Sequence, residues 1–165
     1  MRELLQGRRL GFAPRALLAS VAIGLGIGAT LLDLMSWFAW GSRDTNGFVI
    51  GAYWLAIATA VVALLGLIAG VAELIDVAEE DRTLARLDLA AAGVAALLYA
   101  ASAVLRAGDL GAAGASPAAL LLAVGGLLLL LADSGVASVL YAAREWEEIE
   151  EVVRERHRRR HIASR

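Results

Sequence analysis

Four long apolar runs separated by short polar breaks leave this chain one kind of fold. They extend from about Leu17 to Trp40, Phe48 to Ile75, Leu89 to Leu105 and Ala118 to Ala143. Roughly 20 apolar residues, each rising 1.5 Å along a helix, cross a hydrocarbon core of about 30 Å. The third run is the shortest and is expected to borrow a turn from the polar stretch before it. None alternates with the period of two that a barrel strand shows. Lipid offers no hydrogen bonds to the backbone, so each run must satisfy its own N–H and C=O groups and is read as a helix. Composition agrees: 59% of residues are hydrophobic and 19% charged, against about half and a quarter in soluble domains.

The first run outlasts the apolar region of a signal peptide, roughly 7–15 residues. It continues through Asp33 to Trp37-Phe38-Ala39-Trp40 and is read as a retained helix. All fifteen basic residues are Arg, and thirteen of them lie in residues 1–15, the 76–88 loop and residues 144–165. Only Arg43 and Arg106 fall on the other side. This asymmetry predicts that both chain ends face the cytoplasm, in a bacterial inner or plasma membrane. Trp37, Trp40 and Trp54 then mark the outer interface, and Tyr141 and Trp146 the inner one.

The connections, 41–47, 76–88 and 106–116, are short, which favours an up-down-up-down bundle. The expected architecture is therefore an all-α integral membrane four-helix bundle over residues 16–143. A cytoplasmic tail precedes it at 1–15, and a charged helical extension follows at 144–165. Small residues punctuate the helices: Gly24 and Gly28, Gly66 and Gly70, Gly125 and Gly126. Such spacing seats helices within a bundle or forms a homodimer face.

Acids inside the membrane are the first candidates for function, since a carboxylate at a helix centre costs at least about 2.5–3.5 kcal/mol. Asp33 lies roughly 10 Å below the outer boundary and Asp133 roughly 24 Å below it. Separated by that depth, each needs its own partner. Arg106 is placed to reach down to Asp33, burying its stem as it does so. Asp133 is expected near Arg15 and the hydroxyls of Ser20 and Ser138. These residues read as structural ties between helices or, alternatively, as a path for protons, ions or a solute. Glu73 and Asp76 share a face that reaches headgroups, Arg82 or Arg86. Asp88 is placed at the start of the third helix, where the helix dipole favours an anion.

In the tail, Glu150–Arg154 and Glu155–Arg159 are i,i+4 pairs in the favourable order. Its basic end, Arg156, Arg158, Arg159 and Arg160, is the candidate contact for anionic lipid or a protein partner. Without interleaved aromatics it does not read as a nucleic-acid site. His157 and His161 are one turn apart, but the three intervening arginines would repel a metal ion. There is no cysteine, no Ser-His-Asp set and no phosphate loop, so no catalytic residue, cofactor or metal site is expected.

Several stretches in order carry a family resemblance. They are Ile23-Gly24-Leu25, Leu32-Asp33-Leu34, Gly51-Ala52-Tyr53-Trp54-Leu55, Gly70 with Glu73, Leu98-Tyr99 with a closing Arg106, and Leu140-Tyr141. Over Arg15 to Ala143 the chain resembles an uncharacterised bacterial family of four-helix membrane proteins, domain of unknown function 2231. In that family the first helix usually opens with His-Pro, a second His four residues on, and Phe-Pro. Here those places read Arg15-Ala16 and Ser20-Val21-Ala22, and the His often found near the start of helix three is replaced by something like Asp88. The resemblance implies fold and membrane location. With no His between residues 1 and 156, it implies no bis-His haem.

A non-enzymatic membrane protein that packs or docks onto a partner is the leading expectation. A small proton, ion or solute carrier using Asp33 and Asp133 comes second, and an accessory subunit of a membrane redox system third.

Overall fold

The computed structural model describes residues 14–40, 46–75, 79 and 81–136. Two compact units divide the chain after Ser134, and of the second only Gly135 and Val136 are described. Four helices occupy the described residues: α1 Pro14–Phe38, α2 Asn46–Leu74, α3 Arg82–Ala107 and α4 Pro117–Val136. Each is long and apolar enough to cross a membrane.

Helix α3 begins at Arg82, seven residues before the apolar run at Leu89, so it takes about two turns from the polar stretch where one was expected. Those turns mix Arg82, Thr83, Arg86 and Asp88 with Leu84, Ala85 and Leu87, and helix continues through them. At the other end of the membrane α1 stops at Phe38 rather than Trp40. Ala39 takes the left-handed conformation, φ 48°, and the Trp40 N–H donates to the Met35 carbonyl at 3.1 Å. That bond is the Schellman stop of a helix, here made without the usual glycine. The stretch expected to carry the fourth helix on to Ala143, together with Tyr141, Trp146 and the 144–165 tail, lies outside the described residues.

Successive helices run antiparallel. Gly51 of α2 faces Leu32 of α1 and Gly66 faces Leu18, while Gly93 of α3 faces Leu67. Gly125 of α4 faces Leu98 of α3. Gly28 and Gly70 also meet neighbouring helices, whereas Gly24 looks into open space. Most of the small-residue pattern is thus spent inside the bundle, where it lets backbones approach closely.

The core inverts the arrangement of a water-soluble bundle. Ala22, Ala56, Ala63, Ala95, Ala96, Ala103 and Ala123 fill it, with Tyr99 and Leu130 as the large members. Leucine and valine point outward instead: Leu97 and Leu121 are each 71% exposed and Val104 74%. In water such a surface would be a continuous apolar patch; in lipid it is the matched face. The chain is a multi-pass membrane protein.

At the α1 C-terminal end the connection between α3 and α4 is tied down. Both backbone polar groups of Ala115 are engaged: its N–H donates to Ser36 Oγ at 3.1 Å, and its carbonyl accepts from Trp37 Nε1 at 2.7 Å. Asn46, at the start of α2, donates from Nδ2 to the Leu110 carbonyl at 2.5 Å.

Candidate functional site: two buried charge centres

Helix α1 carries Arg15 and Asp33, and helix α3 carries Asp88 and Arg106. Both pairs are 18 residues apart, which is five turns, or about 27 Å, along one face. The charge order is opposite on the two helices. Because α1 and α3 run parallel, the two pairs meet as two rungs, Arg15 with Asp88 and Asp33 with Arg106, each joining residues 73 positions apart.

The rung at the Arg106 end is closed. Asp33 is 0% exposed and Arg106 1%. The guanidinium donates from one terminal nitrogen to Asp33 Oδ2 and from the other to Ser102 Oγ. Ser102 in turn donates to the Ala119 carbonyl at 2.6 Å, carrying the network into α4. One positive and one negative charge balance here. Asp33 Oδ1 and Arg106 Nε have no hydrogen-bond partner.

The rung at the Arg15 end gathers a residue from every helix. Arg15 donates to Asp88 Oδ2. The same terminal nitrogen lies 3.6 Å from Asp133 Oδ1, and the other lies 3.9 Å from Glu73 Oε2. Gly70 makes room for it: a Cβ there would come within 3.1 Å of Arg15 Nε and 3.3 Å of Cζ. Asp88 and Asp133 are buried, and each leaves its Oδ1 without a hydrogen-bond partner. Asp133 therefore lies beside Arg15. Ser20, its other expected neighbour, is exposed and donates to the Ala16 carbonyl at 3.0 Å; Ser138 lies outside the described residues.

Asp88 needs correction. Expected at the helix start and stabilised by the dipole, it lies beyond the first turn of α3, buried and paired with Arg15. Starting the helix too late hid this. The signal that would have found it is the reversed charge order at a spacing of 18 on two parallel helices.

Between the centres lies a layer of buried alanines. The Tyr99 ring occupies it, wedged between Gly26 of α1 and Gly126 of α4. A Cβ at Gly126 would lie 2.8 and 2.9 Å from the ring carbons Cε2 and Cδ2, and one at Gly26 would run into the hydroxyl. That hydroxyl is buried and has no hydrogen-bond partner.

The tail arginines Arg156, Arg158, Arg159 and Arg160 lie outside the described residues. No family model, curated protein or solved structure matches the chain.

Proposed function

We propose that this membrane protein carries out no chemistry of its own and serves as a rigid helical platform on which another membrane component packs or docks. The observation that supports this best is the double rung between α1 and α3. Two ion pairs on one seam, reversed in sense, fix rotation and register together, because a one-residue slip turns a helix by about 100° and separates both. In this reading the two polar contacts serve to specify one arrangement of the helices. Against the carrier reading stands the layer between the centres, where buried alanines surround a Tyr99 ring wedged between Gly26 and Gly126. Asp33 is moreover already answered by Arg106.

In this reading the thirteen-to-two distribution of Arg places both chain ends in the cytoplasm. Reporter fusions at Asn46 and Ala112 are expected to read as external, and fusions after Arg86 and at the C-terminus as cytoplasmic. A cytoplasmic signal at Asn46 would overturn the orientation.

The function itself is tested by purification in mild detergent with an absorption spectrum and mass spectrometry. The expected result is a defined protein or anionic-lipid partner that is lost when residues 144–165 are deleted, with no Soret band. A haem or small solute retained in fixed stoichiometry would sink the docking reading.

A further inference from the structure

We propose that the Arg15 end of the bundle is a proton-binding site, and that the carboxyl group of Asp133 holds the proton. The charged groups facing one another there come from all four helices: Arg15 from α1, Glu73 from α2, Asp88 from α3 and Asp133 from α4. Among the described residues one guanidinium thus confronts three carboxyl groups, whereas the Arg106 end pairs one with one. Glu73 is the least enclosed, its side chain 20% exposed, and lies in the last turn of α2. Asp88 and Asp133 are both more than nine-tenths buried. Two buried carboxyl groups and one guanidinium are neutral only with one proton added, and uncompensated charge is costly to bury.

Geometry chooses between the two acids. Arg15 donates directly to Asp88, while its distance to Asp133 Oδ1, 3.6 Å, is beyond a hydrogen bond. Asp133 Oδ1 is buried, faces the guanidinium and receives no donor. Asp88 Oδ1 is also without a partner, but Asp88 keeps its charge through the bond at Oδ2; Asp133 accepts no bond from the guanidinium, so its charge is the less compensated and the proton belongs to its carboxyl group. A proton suits the site better than a metal ion: among the described residues no three carboxylates are arranged to hold one, and the guanidinium at the centre would repel it. The inference rests on membrane location and not on the docking reading, and loss of a tail partner would leave it untouched.

The full-length protein in detergent micelles at neutral pH provides the test, read by infrared spectroscopy and thermal melting. Wild type is expected to show the carbonyl stretch of a protonated carboxylic acid, shifted in D2O and missing from Asp133→Asn. Because the amide imitates the neutral acid, Asp133→Asn should melt close to wild type, whereas Asp88→Asn removes the acceptor that Arg15 bonds directly and should melt lower. Absence of the band from wild type, or its persistence in Asp133→Asn, would overturn the proposal. So would an Asp133→Asn protein as unstable as Asp88→Asn.

Discussion

Arg106→Gln is expected to destabilise the protein in detergent by about 3–5 kcal/mol, the cost of leaving one member of a buried ion pair alone. Asp33→Asn should cost a similar amount, since it strands the guanidinium instead. The double variant Asp33→Asn with Arg106→Gln should cost clearly less than the sum, because no uncompensated charge then remains. Both side chains are almost wholly enclosed, so water does not screen the loss. Arg106→Gln should be slightly the more damaging of the two, because Arg106 also donates to Ser102, whose hydroxyl binds the Ala119 carbonyl of α4. A double-mutant cycle on detergent melting measures the coupling. Single changes that are harmless or purely additive would show that the rung contributes nothing.

The second large effect is expected at the centre of the bundle. Gly126→Ala pushes a methyl group against two carbons of the Tyr99 ring, and overpacking of that kind typically costs about 1–3 kcal/mol. Gly26→Ala meets the same side chain differently, at its hydroxyl and at Cζ, the latter 3.1 Å away. Tyr99→Phe should therefore rescue Gly26→Ala in large part and leave Gly126→Ala unrescued. By itself Tyr99→Phe should be neutral or stabilising, since it deletes a buried hydroxyl that has no partner. Melting the five variants against wild type separates these outcomes. Equal rescue of both glycine changes would mean that the ring is not held as described.

The helices were legible in the sequence because hydrocarbon thickness sets a length that four apolar runs meet. The pairing of Asp33 with Arg106 was legible for a related reason: depth along a helix can be counted, and the two residues come out within reach. Asp88 was not, because a helix extended by only one turn before Leu89 leaves the residue at its start, where the dipole accounts for it, whereas the second turn carries it into the interior. Nor was the place of Tyr99, which depends on two glycines from different helices converging on one ring. Depth is a property of one segment, whereas convergence requires knowing how helices are rotated about their axes. Small-residue spacing constrained that rotation only loosely, since Gly24 and Gly28 form one motif yet face open space and Leu55 respectively.

The spacing of the two rungs has a bearing on the lipid around the protein. Five helical turns hold the charge centres about 27 Å apart, close to the thickness of the hydrocarbon core. That distance is set within each helix, and sliding α1 along α3 would part both pairs at once, so the bundle cannot adjust its length by shifting one helix against the other. In a thinner or thicker bilayer the bundle must tilt as a body, or the neighbouring lipid must stretch or compress to meet it, each at a fraction of a kcal/mol per Å. The protein thus behaves as a fixed-length gauge, and membranes of unequal thickness would sort it by the elastic energy of their own lipids.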